Sequence, residues 1–186
     1  MPGLYEGQHA FTFLYQDDEV PPATVVANLQ NYIDPNVGPV FFAAVFEGDF
    51  QGFAHIAADD PGALGDLIAG PLWDAGIHSH HVAEGRVYVG PPGPMGPTRL
   101  TPRFLAICRV SVNQPPIQVM RNIAVSFNED IPFVGASTVI ADFHLLVELG
   151  DDDRQALQEH VASLRGIDGV RGVEVAVTDT GSTQAA

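Results

Sequence analysis

AAVFEGDFQGFAHIAADDPGALGDLIAGPLWDAGIHSHHV, residues Ala43 to Val82, returns 93 positions later as ASTVIADFHLLVELGDDDRQALQEHVASLRGIDGVRGVEV, residues Ala136 to Val175. The stretches align without a gap. Ten of the forty positions are identical: Ala43/Ala136, Asp49/Asp142, Phe50/Phe143, Asp59/Asp152, Asp60/Asp153, Ala63/Ala156, Leu64/Leu157, Ala69/Ala162, Gly76/Gly169 and Val82/Val175. Average residue usage would give roughly two or three. Most other pairs keep their character, as at Ile68/Val161 and Ile77/Val170. One module is therefore written twice. The pairing continues upstream with a one-residue slip, because Pro21-Pro22 opens an apolar helical pattern as Pro115-Pro116 does.

Outward from the repeat, each half reads strand, helix, strand, strand, helix, strand. In the first, His9 to Tyr15 is an aromatic-rich strand, and a helix starts at the two prolines and carries Val25, Val26, Leu29 and Ile33 at helical spacing. Gly38-Pro39 stops it. Phe41 to Glu47 and Phe50 to Ala58 form a hairpin, Asp59 or Asp60 caps one helix running to just before Gly76, and Ile77 to about Val87 is the last strand. In the second, Phe104 to Val112 is a strand and Ile117 to Ile123 a helix, and Gly135 to Ile140 with Phe143 to Leu149 makes the hairpin. Asp151-Asp152-Asp153 caps a helix, Gly169 ends it, and Val170 to Val177 closes the half.

That order predicts an α+β fold of two tandem ferredoxin-like (βαββαβ) units. The sheet faces that helices leave bare predict that the two sheets cover each other, making a dimeric α/β barrel within one chain. The expected divisions are residues 1–89 for the first unit, 90–102 for a Pro/Gly linker, 103–180 for the second unit, and 181–186 for a disordered tail.

The chain has 186 residues and a formal net charge of −15, with eight Arg and no Lys. Nucleic acid and anionic membranes require a basic footprint, so neither is an expected partner. Cys108 is the only cysteine and permits no intrachain disulfide. No basic segment followed by an apolar run opens the sequence, and the expected localisation is cytoplasmic.

The segments Phe46 to Asp60 and Ile140 to Asp153 carry an Asp-aromatic turn, an apolar strand and an acidic helix cap, followed by Gly76-Ile77 and Gly169-Val170 at the helix exits. In this they resemble the effector-binding half of the Lrp/AsnC regulators. The resemblance covers nearly the whole chain and implies an oligomerising, small-molecule-binding module. Three features depart from that pattern. Gln51 and His144 stand where the family has Asp after the aromatic, Ala141 replaces the turn Gly, and no helix-turn-helix precedes either unit.

The polar groups at the hairpin turns, Gly48, Asp49, Gln51, Asp142 and His144, are the expected ligand-binding residues, since they sit at the end of an apolar sheet where a few directed hydrogen bonds orient a ligand. Small metabolite effectors and other copies of the chain are the expected partners. No cofactor and no metal is expected. His55 and His78 are placed near opposite ends of the sheet, and the second copy has Glu148, Arg171 and Val173 at the positions of His55, His78 and His80. The acidic runs read as helix caps and Cys108 as a core residue. The alternative is an enzyme of the dimeric α/β-barrel class, monooxygenase, cyclase, isomerase or haem type, with Tyr15, His55 and His80 lining a cavity in the first unit. A scaffold that binds nothing small is the third class. Divergence at the polar positions predicts that any pocket lies mostly in the first half.

Overall fold

The computed structural model describes residues 8–30, 40–58, 60–77, 82–89, 102–127 and 133–183. The chain divides into two compact units between Arg86 and Val87. The linker foreseen at 90–102 lies, except for Pro102, outside the described residues. No described helix is long and apolar enough to cross a membrane.

The first unit contains β1 (Gln8–Leu14), α1 (Pro22–Gln30), β2 (Val40–Val45), the two-residue β3 (Glu47–Gly48), β4 (Gly52–Ala58), α2 (Pro61–Ala69), α3 (Pro71–Asp74) and the start of β5 (Val82–Val89). Its main strands are antiparallel in the order β2-β4-β1-β5. Alternation sends Ala10 and Leu14 of β1, Ala43 of β2, and Ala54 and Ile56 of β4 to one face. There they pack with Val25, Val26 and Leu29 of α1, Leu64 of α2 and Leu72 of α3.

One detail departs from the sequence reading, and one choice it left open is resolved. The second helix is broken in two, because Gly70 leaves helical geometry (φ −119°, ψ −102°) and Pro71, lacking an amide hydrogen, can only restart a helix. Asp60 is the cap, its Oδ1 accepting from the Ala63 amide at 2.9 Å.

Thr12 lies between Ala10 and Leu14 on the helix-facing side, opposite Ala54. Its hydroxyl is buried and has no hydrogen-bond partner among the described residues. A hydroxyl stripped of water and given nothing in return opposes folding, and valine has nearly the same shape. Thr12→Val is therefore expected to stabilise the protein by about 1 kcal/mol. A urea midpoint at or below wild type would contradict this.

The second unit contains β6 (Phe104–Val112), α4 (Pro116–Ser126), β7 (Phe133–Ile140), β8 (Leu145–Asp151), α5 (Arg154–Arg165), β9 (Val170–Asp179) and the short α6 (Thr180–Thr183). Its strands run antiparallel in the order β7-β8-β6-β9. Ala106, Cys108 and Val110 of β6 and Leu145, Val147 and Leu149 of β8 pack against Val119, Met120 and Ile123 of α4 and Leu157, Val161 and Leu164 of α5. Thr180 to Thr183, at the edge of the expected tail, make a helical turn held by Thr180 Oγ1 donating to Pro102 O at 2.7 Å.

The units repeat each other's local solutions. Pro21 O accepts from the Thr24 and Val25 amides, and Pro115 O from those of Gln118 and Val119. Gly76 (φ 102°) and Gly169 (φ 90°) turn the chain out of the helical segment in the left-handed region. The Asn28 and Asn122 side chains each donate, at 3.3 Å, to the carbonyl just before that glycine. The sequence reading missed these asparagines, although they occupy matching positions 94 residues apart.

Candidate functional site

Each unit closes its hairpin the same way. The Gln51 amide donates to Leu14 O (2.8 Å) and its carbonyl accepts from Phe46 N (2.9 Å); His144 N donates to Val110 O (3.0 Å) and its carbonyl accepts from Val139 N (3.1 Å). The side chains also match in role. Gln51 Oε1 accepts from the Gln16 amide at 3.0 Å, and His144 Nδ1 from the Val112 amide at 3.3 Å. Gln51 Nε2 further donates to Gly48 O at 3.1 Å. Two residues of different type thus fasten the end of the first strand to the turn. Gly48 sits at φ 144°, which only glycine adopts readily, whereas no non-glycine among the described residues, Ala141 included, has a positive φ. The two turns therefore have different backbones.

A larger difference lies behind them. Leu14 pairs with Gly52 and Val110 with Leu145, so Phe13 and Arg109 hold equivalent places. Phe13 meets Phe50 edge-on at 5.1 Å. Arg109 instead lies over Phe143 at 4.7 Å, donates from Nη2 to both Asp142 carboxylate oxygens (2.8 and 3.0 Å) and pairs through Nη1 with Glu174 at 3.0 Å. Asp142, expected to face a ligand, is thus the Arg109 counter-ion. Asp49 has no arginine at the matching place.

The first unit has an aromatic surface on the face that its helices do not cover. Phe11 and Phe13 of β1, Phe42 of β2, Phe53 of β4 and the turn residues Phe46 and Phe50 are linked by ring contacts at 5.1 to 6.4 Å. At one margin stands a histidine pair, with His9 Nδ1 and His55 Nε2 2.9 Å apart. Register makes the pair: His9 faces Ala57 and Phe11 faces His55, so the two imidazoles are diagonal neighbours on one face. His9 is buried and His55 half-buried, with the Phe11 ring 4.8 Å from that of His55. Loss of hydration, and secondarily the charge of His9, push the His55 pKa down to about 3. Both neighbours on β5, Ala83 opposite Phe11 and Gly85 opposite His9, are small.

Of the alternative cavity residues that are described, Tyr15 and His55, His55 belongs to this cluster. Tyr15 lies beyond the far end of β1, its amide bonded to Asp18 Oδ2 at 2.8 Å. His80, with His78 and His81, lies outside the described residues. The meeting of His9 with His55 depends on strand register, which nothing in one strand's sequence fixes.

Cys108 is buried, and desolvation pushes its thiol pKa up to about 12 against the opposing influence of Arg165. It is not a nucleophile at neutral pH. The acidic run serves α5: Asp153 Oδ1 accepts from the Gln155 (2.7 Å) and Ala156 (3.1 Å) amides. Asp151 accepts from the Asp153 amide at 2.8 Å and bonds His160 Nε2 at 3.1 Å. Partial burial works against the Asp151 carboxylate, but the Asp153 amide and His160 outweigh it and lower its pKa. A lowered folded-state pKa contributes stability above the unfolded value, about 3.9 for Asp, and that contribution fades as pH falls through the folded one. Asp151→Asn is accordingly expected to be less stable than wild type at pH 7, with the gap narrowing in acid. A gap that stayed constant down to the folded-state pKa would contradict the assignment.

No family model and no curated protein sequence matches the chain. Solved structures do match over nearly its full length. An anthrone oxidase-like protein is 13% identical, covering 95% of this chain and 94% of its own, with a TM-score of 0.57. A mutant chlorite dismutase from Candidatus Nitrospira defluvii is 8% identical, covering 96% and 93%, with a TM-score of 0.59. A haem-binding protein from Thermus thermophilus is 11% identical, covering 100% and 96%, with a TM-score of 0.57. At such identities the likeness is one of fold. These matches overturn the resemblance to Lrp/AsnC effector domains. The motif behind it, a Gly-Asp-aromatic turn and a Gly-aliphatic helix exit, records what the backbone needs at Gly48, Gly76 and Gly169 rather than any ligand chemistry. The chain has a mixed α+β fold with antiparallel sheets, shared with anthrone oxidase-like, chlorite dismutase and haem-binding proteins.

Proposed function

We propose that the chain is a small-molecule-binding dimeric α/β barrel of the oxidase and dismutase kind. In this reading two ferredoxin-like units, residues 1–89 and 103–180, turn their sheets toward each other across a linker at 90–102. Two observations support it: the strand order is the same in both units, and each sheet has a buried face that its own helices leave bare, with Phe11 and Phe53 in one and Ile107, Leu146 and Ala176 in the other. The ligand is a flat, uncharged aromatic molecule, and the observation that carries this is the His9–His55 pair, its His55 ring kept neutral by burial, at the margin of the phenylalanine face. The half-buried Phe42 ring, whose register partner is His55, offers stacking at the margin of that face, and the neutral His55 imidazole orients one carbonyl or hydroxyl without a charge to desolvate. The anthrone oxidase-like neighbour suggests a planar aromatic ketone as the probe. The turn residues Gly48, Asp49, Gln51, Asp142 and His144 hold the sheet ends in this reading.

Haem does not fit the described residues. Between sheet and helices the described residues of both units pack into an apolar, largely aliphatic core. The described imidazoles of the first unit lie on the other face, and the only Arg between Glu6 and Arg86 is Arg86 itself, too few cations for two propionates. No step is therefore derived through haem.

The test is thermal and chemical denaturation of the metal-free protein with anthrone, and absorbance with added hemin. Anthrone at a hundredfold excess over its dissociation constant adds about 2.7 kcal/mol to stability, and His55→Ala removes that gain. No stabilisation by anthrone or related planar ketones, together with a shifted Soret band on adding hemin, would replace this reading by the haem type.

A further inference from the structure

We propose that His9 and His55 together hold a divalent transition-metal ion of the copper(II) or nickel(II) type, one per chain. The inference goes beyond the aromatic-ligand reading and does not depend on it. Nδ1 of one ring and Nε2 of the other face each other at 2.9 Å across neighbouring strands, 46 residues apart in sequence. With metal–nitrogen bonds of about 2.0–2.1 Å, that separation subtends roughly 90° at the ion, the angle between adjacent positions of a square-planar or octahedral site; a tetrahedral angle would need about 3.3 Å. Strand pairing fixes both backbones, and Phe11 lies against the His55 ring, so the donors are held in place before any ion arrives.

No group of three or more His, Cys, Asp or Glu ligands occurs among the described residues. The second unit offers no counterpart, since Leu105 and Glu148 occupy the places of His9 and His55. A plain hydrogen bond between two neutral imidazoles spans the same distance, and the experiment must separate the two.

The untagged full chain is stripped with a chelator and titrated with Cu2+, using equilibrium dialysis for stoichiometry and electron paramagnetic resonance for the nitrogen donors. The expected result is one tightly bound Cu2+ per chain with hyperfine splitting from two nitrogens. Affinity should fall at least tenfold in His55→Ala and in His9→Gln. A chain with His78, His80 and His81 all replaced by alanine should bind as wild type does. His55 is only half-buried, so His55→Ala carries the test if His9→Gln fails to fold, with circular dichroism as the control. The proposal is overturned if wild type binds no Cu2+, if His55→Ala binds it as tightly as wild type, or if the triple variant loses it. Anthrone binding is measured without metal, so failure of the aromatic-ligand reading shows separately.

Discussion

Replacing Gly169 by alanine should cost about 3 kcal/mol, the sum of roughly 1–2 for an L-residue in the left-handed region and 1–3 for overpacking a filled core. Gly169 has φ 90°, and an added Cβ would stand 2.5 Å from Val119 Cγ2. Val119 is fully buried on α4 and bounded by the β6 and β8 side chains, so it has no room to withdraw. The counterpart Gly76 gives the control. Its φ of 102° carries a similar backbone penalty, but the nearest atoms, on Val25 and Val20, are 3.1 to 3.2 Å away. Gly76→Ala should therefore cost about 1–2 kcal/mol. Urea denaturation of the two variants checks both values. Equal losses would mean that the Val119 contact relaxes freely, and a Gly169→Ala protein as stable as wild type would remove the argument.

Phe53→Ala is expected to cost more, about 3–5 kcal/mol, the range for a buried phenylalanine cut to its Cβ. Phe53 is the hub of the aromatic face, with ring centroids of Phe11, Phe13, Phe42 and Phe46 at 6.3, 5.5, 6.4 and 6.1 Å. It is almost wholly buried. Its neighbours sit on paired strands, which cannot close around the missing ring, so a cavity remains. Phe53→Leu keeps most of the volume and should lose less than half as much. A loss below about 1.5 kcal/mol in Phe53→Ala would mean that the face is loosely packed. It would also weaken the reading of that face as a preformed stacking surface.

The sequence by itself determined the double writing of one module, the element order of each half, the Pro-led first helices, acidic caps narrowed to Asp59 or Asp60 and to the run Asp151 to Asp153, and the glycines that leave the second helical segments. These are local requirements: a cap needs a short acceptor one turn before free amides, and a left-handed exit needs glycine. Such demands leave a mark at fixed spacing in any chain that meets them, and two copies made the marks easy to see. They also misled, because a turn-and-exit motif common to a fold was read as a family's ligand-binding signature.

What only the tertiary structure decided is how strands meet. The repeat runs at 93 residues from β2 and β7 onward and at 94 for the first helices, but at 96 for β1 against β6, as the pairs Leu14/Gly52 and Val110/Leu145 show. Nothing inside an isolated strand fixes that offset, and a slip of one residue exchanges its two faces. On the offset depend the meeting of His9 with His55, the exchange of Phe13 for Arg109 behind the turn, and the shared task of Gln51 and His144. Side-chain chemistry is written along the chain, whereas its convergence is set by hydrogen-bonded register between segments 32 to 46 residues apart, and register becomes definite only when the whole sheet packs.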